Sequence, residues 1–165
     1  MIMTETIYYK QRQEGYQKVL EEVKSNTKNR TEFENTIKLK MFSWWASWVP
    51  DYEGWLKIAD GLYASQCIID AIGPEPQIYS DYRLSMKGQR DAFDMDMGPI
   101  ENCVVEEDTV ALDYKMYMTP KIDMGNMKKG NTITLKVTEF NKFDNVPGYD
   151  VPMVIHLKLI ATGLE

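Results

Sequence analysis

The first part of the chain carries apolar residues at helical spacing. Residues 4–26 are mostly polar and charged and predict a surface helix with five apolar points: Ile7, Tyr8, Val19, Leu20 and Val23. Thr31 and Glu34 have the spacing of a capping box, which predicts the start of a second helix that Pro50 ends. The apolar positions of this second helix are Phe33, Ile37, Met41, Trp44, Trp45 and Trp48.

Two further helices are predicted on either side of a short strand. Asp51 can cap a third helix, whose apolar stripe consists of Trp55, Ile58, Ala59, Leu62 and Tyr63. Residues 67–72 predict a strand that a Gly-Pro segment breaks. A fourth helix is expected from Tyr82 to about Met95, before Gly98 and Pro99.

The second half of the chain has the pattern of β-structure. Four strands are predicted at residues 100–105, 109–119, 132–143 and 153–161, and the first two form a hairpin around Glu106-Glu107-Asp108. This order predicts an α+β fold, with helices packed on one face of a curved, mostly antiparallel sheet. We expect residues 1–30 to be a helical arm, which packs on the domain or on a partner subunit, and residues 31–165 to be one α+β domain.

Charge and composition restrict the possible partners. The 165 residues carry 25 acidic and 19 basic side chains, a net charge of −6, and no basic stripe, which argues against nucleic-acid binding. No apolar run approaches the ~20 residues of a membrane helix, and no secretory signal is visible. Cys67 and Cys103 are isolated within apolar runs and suit reduced thiols, so we expect a cytoplasmic protein.

Two carboxylates fall where the pattern asks for apolar residues. Asp70 follows the apolar run Cys67-Ile68-Ile69. Glu139 is spaced by two residues from Val137 and by four from Leu135, so the strand pattern places it on their apolar face. A buried carboxylate is unfavourable unless it is paired or its pKa is raised, and raised pKa values are a property of acid/base sites. The alternative is a salt bridge or an edge-strand charge.

Several kinds of site lack their motif. The single histidine, His156, excludes a multi-histidine zinc site or a two-histidine iron site within one chain, and its alternation with Lys158 places it on the outer sheet face. Asp94 and Asp96 alone are weak evidence for a cation site. We therefore expect neither a metal nor an organic cofactor.

The eleven Met, ten Tyr and four Trp fit a core, or else a roomy apolar pocket.

Residues 33–163 resemble the nuclear-transport-factor-two-like superfamily, which includes SnoaL-type polyketide cyclases, ketosteroid isomerases, scytalone dehydratase and bile-acid dehydratase. The resemblance is carried by DYEGWLKIADGLYASQCIIDAIG (51–73), MDMGPIENCVVEEDTVALDYKMYMT (95–119) and LKVTEFNKFD (135–144). It implies a cone-shaped domain whose curved sheet encloses a pocket. The superfamily also contains binding domains without catalysis, so the fold alone does not decide the function.

The resemblance gives the acidic residues candidate roles. Asp70 occupies the position of the isomerases' general base, and Glu139, four residues before Phe143, that of the neutral acid which donates a hydrogen bond to the dienolate. Asp96 falls where the bile-acid dehydratase has a histidine. Asp51 is similar to an aspartate of the dehydratases, although helix capping also explains it.

The chain departs from the isomerases at their oxyanion tyrosine. Residues 42–45 hold Phe, Ser and two Trp at that place, so a tyrosine from elsewhere would have to serve, with Tyr63, Tyr79, Tyr82 and Tyr117 as candidates. The residues that we expect to bind substrate are Trp44, Trp45, Asp51, Tyr63, Tyr82, Tyr117 and His156.

Three functional hypotheses follow. The first is a cofactor-independent isomerase, cyclase or dehydratase that acts on a hydrophobic, carbonyl-bearing ring compound such as a steroid or polyketide. The second is a domain that binds a small hydrophobic ligand or another protein without chemistry. The third is a structural subunit whose acids pair with Lys115, Lys136 or Lys158. A homodimer is expected, since the outer face of a single sheet needs cover.

Overall fold

The second and third helices begin where their capping residues predict. The computed structural model describes residues 6–71 and 73–163, so the predictions for residues 1–5, 72 and 164–165 lie outside the described part. The helices are α1 (Ile7–Ser25), α2 (Glu32–Ser47), α3 (Tyr52–Asp60) and α4 (Tyr79–Ala92). Thr31 and Glu34 form the predicted capping box of α2, and Asp51 caps α3 by accepting a hydrogen bond from the Gly54 amide.

Within the described residues, seven strands form one mixed, mostly antiparallel sheet. They are β1 (Tyr63–Asp70), β2 (Gln77–Ile78), β3 (Phe93–Met97), β4 (Asn102–Glu106), β5 (Thr109–Pro120), β6 (Ile133–Asp144) and β7 (Met153–Gly163). The order is β2-β1-β7-β6-β5-β3, and β4 pairs with β5. Strands β4 to β7 form the predicted antiparallel meander, whereas β1 pairs in parallel with β7. The predicted α+β fold is confirmed.

Two segments differ from their prediction. Tyr63, placed in the third helix by its spacing, is the first residue of β1. Helix α4 begins at Tyr79 and ends at Ala92, so Met95 lies in β3 and not in a helix. The reason is that β3 pairs with the end of β5, which turns Met95 and Met97 into the core and leaves Asp94 and Asp96 on the other face.

The core lies between the helices and the inner sheet face. Trp45 of α2 packs edge-on against Tyr114 of β5, with ring centroids 4.5 Å apart, so the aromatic stripe of α2 is part of the core as its spacing indicates. Helix α1 packs on α2, and its buried Arg12 reaches β3. In the described ranges, no helix is long and apolar enough to span a membrane.

Candidate functional site: a buried carboxyl group ringed by tyrosines

Glu139 points from β6 into the core. Its side chain lies on the same face of β6 as the buried Val137 and Asn141. Its register partners Leu112 and Leu159 flank it on this inner face. Glu139 is only 3% exposed, and its Oε2 atom has no hydrogen-bond partner among the described residues. Removal from water disfavours the carboxylate and raises the pKa of Glu139 from 4.5 to about 7. This buried carboxyl group is therefore poised to exchange a proton near neutral pH.

Three tyrosines surround this carboxyl group, each from a different element. They are Tyr63 of β1, Tyr82 of α4 and Tyr114 of β5. Burial, and then the charge of Glu139, raise the pKa values of all three hydroxyls. The nearby Tyr114 hydroxyl partly offsets the rise in the Glu139 pKa. The tyrosines thus remain protonated and can donate hydrogen bonds to a negatively charged oxygen.

A cavity of about 40 Å³ separates these groups. Its walls are formed by Trp44, Trp45, Trp48, Trp55, Tyr63, Tyr82, Met86, Gln89, Arg90, Met95, Met97, Tyr114, Met116, Glu139, Leu157 and Leu159. Besides Glu139 Oε2, two polar atoms of lining residues are buried without a partner among the described residues, Nε1 of Trp44 and Nε of Arg90. Unpaired buried polar atoms are rare, so their occurrence on three residues that line one cavity indicates a place for a polar ligand atom or water.

Arg90 and Tyr114 are site residues that the sequence interpretation missed. Arg90 packs over the Trp55 ring, 4.7 Å from its centroid, and burial lowers its pKa. Tyr82, Met86 and Arg90 recur every four residues along α4, and this spacing could have placed Arg90 on the inner stripe. Tyr114 lies two residues after the buried Leu112 on β5, and this period-2 spacing could have placed it on the same inner face.

Asn141 extends the buried polar surface beyond the cavity wall. It lies two residues after Glu139 on the same inner face of β6 and is fully buried. Neither its Oδ1 nor its Nδ2 atom has a hydrogen-bond partner among the described residues. Buried amides of this kind commonly hold an ordered water, so the polar site continues along β6.

The structure does not bring Asp70 into this cavity. On β1, Cys67 and Ile69 face the core, whereas Asp70 is paired in register with the exposed Lys158. Asp70 therefore lies on the sheet face opposite Glu139, and the two carboxylates do not share a site. The predicted arrangement of two acids in one cavity is corrected to one buried carboxyl group with tyrosines around it.

Asp96 and Tyr117 also lie away from the cavity. Oδ1 of Asp96 is 3.1 Å from Nη1 of Arg12 and accepts a hydrogen bond from the Met97 amide. Tyr117, its register partner on β5, stacks on Tyr8 with ring centroids 4.5 Å apart. These residues help to attach α1 to the sheet.

The remaining predicted residues divide into two groups. Trp44, Trp45, Tyr63 and Tyr82 line the cavity with Glu139. Asp51 is exposed and caps α3, and His156 is exposed on the outer face of β7. Within residues 6–71 and 73–163, no three or more His, Cys, Asp or Glu side chains converge as metal ligands would.

Comparison with solved structures supports the fold. A candidate SnoaL-like polyketide cyclase from Jannaschia sp. CCS1 aligns with a TM-score of 0.62 at 12% identity, over 80% of this chain and 89% of its own. IdmH, a candidate polyketide cyclase from Streptomyces antibioticus, aligns with a TM-score of 0.57 at 16% identity, over 79% of this chain and 92% of its own.

A ketosteroid isomerase-like protein from Erwinia carotovora atroseptica aligns with a TM-score of 0.55 at 11% identity, over 80% of this chain and 98% of its own. No protein-family model and no curated protein sequence matches the chain. The chain shares the α+β fold of these three solved structures, with helices packed on one curved sheet.

Proposed function

We propose that the protein is a cofactor-independent acid/base enzyme, an isomerase, cyclase or dehydratase, whose reacting group is Glu139. Its substrate is a hydrophobic, carbonyl-bearing ring compound such as a steroid or polyketide. One observation carries the proposal: the Glu139 carboxyl is buried, and its Oε2 atom lacks a partner among the described residues beside a cavity bordered by tyrosine side chains.

In an isomerisation, one carboxyl group can perform both proton transfers. The Glu139 carboxylate removes a proton from the carbon next to the substrate carbonyl, and the bond electrons move into the carbonyl to form an enolate. Hydroxyls of Tyr82 and Tyr114 donate hydrogen bonds to the enolate oxygen. Protonated Glu139 then returns the proton to the conjugated carbon, which regenerates the carboxylate. A pKa of about 7 suits both directions of this transfer at neutral pH.

The cavity must enlarge before it can hold a ring compound. A volume of about 40 Å³ holds one or two water molecules, which is less than any substrate of the proposed class. Its wall contains Met86, Met95 and Met116, whose unbranched side chains change rotamer readily. Trp44 and Tyr82 are partly exposed, so we place the entrance on their side of the cavity.

A binding domain without chemistry is the second candidate. It is favoured by the position of Asp70 on the opposite sheet face, because the cavity then lacks the second carboxylate of the ketosteroid isomerases. In that case Glu139 would donate or accept a hydrogen bond to a ligand, and its replacement by glutamine would preserve much of the affinity.

Proton exchange in D₂O tests catalysis without knowledge of the product. Cyclohexenone and a steroid enone would be incubated with the protein, and loss of the exchangeable carbon-bound protons would be followed by NMR. We expect the rate of proton exchange to increase as the pH rises through about 7, because Glu139 must be ionised to act as a base. Glu139→Gln should slow it at least ~100-fold, whereas Glu106→Gln, at an exposed strand end, should not.

The two candidates differ in the outcome of this experiment. If the ligand shifts protein resonances but no proton exchange occurs, the protein is a binding domain and not an enzyme for these compounds. Equal exchange rates in the wild type and in Glu139→Gln would show that Glu139 is not the group that transfers the proton.

We also propose a cytoplasmic homodimer in which residues 31–165 form the domain and residues 1–30 the arm. Ile68, Phe140 and Ile160 are 40–49% exposed on the outer sheet face, and this apolar surface supports contact with a second copy. Analytical ultracentrifugation would test the dimer.

A further inference from the structure

A larger cavity lies outside the sheet, between α1, α2 and the segment before β7. Its volume is about 650 Å³. The lining residues are Tyr16, Val23, Asn26, Arg30, Glu32, Asn35, Thr36, Leu39, Lys40, Ser43, Val151 and Pro152. We call this cavity the α1–α2 groove. It shares no lining residue with the Glu139 cavity.

Lys40 is the central charge of the α1–α2 groove. Its Nζ atom donates a hydrogen bond to the Pro152 carbonyl and lies 3.3 Å from the Met153 sulfur. Among the described residues, no carboxylate forms an ion pair with it. An ammonium has three donors, and a thioether is a weak acceptor, so Lys40 retains capacity for a strong acceptor.

The rest of the groove lining leaves the charge of Lys40 uncancelled. Arg30 is 3.1 Å from Glu22, but the same carboxylate oxygen is 2.7 Å from Lys38. One acid is thus shared by two bases. Glu32 is the one acidic lining residue, against Arg30 and Lys40. The groove therefore has a net positive lining on a chain whose net charge is −6.

We propose that the α1–α2 groove binds an amphiphile that carries one carboxylate on an apolar body, with the carboxylate on Lys40 and the apolar body against Val23, Leu39 and Val151. The charge of the groove selects an anion, and its aliphatic walls select an apolar body. The bound carboxylate would supply the counter-charge that Lys40 lacks among the described residues.

Protonation of Lys40 should be coupled to this binding. Burial lowers the pKa of Lys40 from 10.5 to about 8. The other titratable groups that line the groove are Tyr16 from α1, Arg30 from the connecting segment and Glu32 from α2, while the segment before β7 contributes Val151 and Pro152. A carboxylate stabilises the ammonium, so binding at pH 8.5 takes up protons, and affinity declines as the pH rises above about 8.

Octanoate and 1-octanol are matched probes, since they share the chain length and differ in charge. Binding would be measured by calorimetry at pH 8.5 in two buffers of different ionisation enthalpy, which gives the protons taken up. We expect octanoate to bind about tenfold or more tightly than octanol, with proton uptake. Lys40→Met should abolish this preference and the uptake, while Lys136→Met, at an exposed position of β6, should preserve both.

Three results would overturn the proposal: equal affinity for octanol, unchanged octanoate binding by a folded Lys40→Met variant, or no octanoate binding by the wild type at millimolar concentration. Thermal unfolding of each variant checks that it is folded. Glu139→Gln should leave octanoate binding unchanged because the two cavities share no wall residue, so this test is independent of the proposed catalysis.

Discussion

Nη1 of Arg12 lies 3.1 Å from Oδ1 of Asp96, and this ion pair joins α1 to β3 across 84 positions of the chain. Arg12 is 4% exposed, and it also donates to the Met97 and Trp48 carbonyls. We predict that Arg12→Met lowers the free energy of unfolding by about 2 kcal/mol or more, because Asp96 and the two carbonyls lose their donor. Urea denaturation would measure the loss.

Lys10 of the same helix provides the matched control. It is exposed and forms no ion pair among the described residues, so Lys10→Met should change stability by less than about 0.5 kcal/mol. Equal stability of Arg12→Met and Lys10→Met would show that the Arg12 contacts contribute nothing net to folding.

The raised pKa of Glu139 predicts a pH-dependent penalty on stability. Unfolded Glu139 ionises above its ordinary pKa of 4.5, whereas the folded residue holds its proton until about pH 7. Between these values the folded state binds more protons, so its contribution to stability falls as the pH rises and then stays low above pH 7. The difference of pKa values corresponds to a penalty of about 3 kcal/mol as an upper bound.

Glutamine at position 139 removes this titration while retaining the shape of the side chain. We therefore expect Glu139→Gln, relative to the wild type, to gain stability between pH 5 and pH 8 in thermal or urea unfolding. Glu106→Gln, at an exposed position, should follow the wild type. A constant difference between Glu139→Gln and the wild type across this range would contradict a raised Glu139 pKa.

The capping box of α2 should contribute measurably to stability. The Thr31 hydroxyl accepts a hydrogen bond from the Glu34 amide, and the Glu34 carboxylate accepts one from the Thr31 amide. Thr31→Ala should lower the free energy of unfolding by about 1 kcal/mol, because the helix loses its N-terminal acceptor. Thr36→Ala, at an exposed position within α2, is the control and should be neutral or slightly stabilising, as measured by urea denaturation.

Local signals explain what the sequence could predict. The Thr31 capping box and the alternation around Glu139 depend on nearby residues, and both give the observed element and face. Asp70 follows three apolar residues, Cys67, Ile68 and Ile69, so no alternation fixes its face. A shift of one residue reverses every side chain of a strand, and the parallel pairing with β7 decides which face Asp70 takes.

Short elements were misassigned for a related reason. The five residues Phe93–Met97 are fewer than two helical turns, and their strand conformation depends on pairing with β5 residues 19 to 27 positions away. The site needs several such pairings at once. Tyr63, Tyr82 and Tyr114 converge on Glu139 from β1, α4 and β5, and sequence spacing alone cannot show this convergence.

The parallel pairing of β1 with β7 constrains how the protein folds during synthesis. Strand β1 emerges from the ribosome early, but its partner residues 154–158 follow 88 to 91 positions later. Until then, β1 can pair with the two-residue β2 while its other edge stays open to foreign strands. The long delay favours slow completion of the sheet, so aggregation during expression should be most sensitive to changes in residues 153–163.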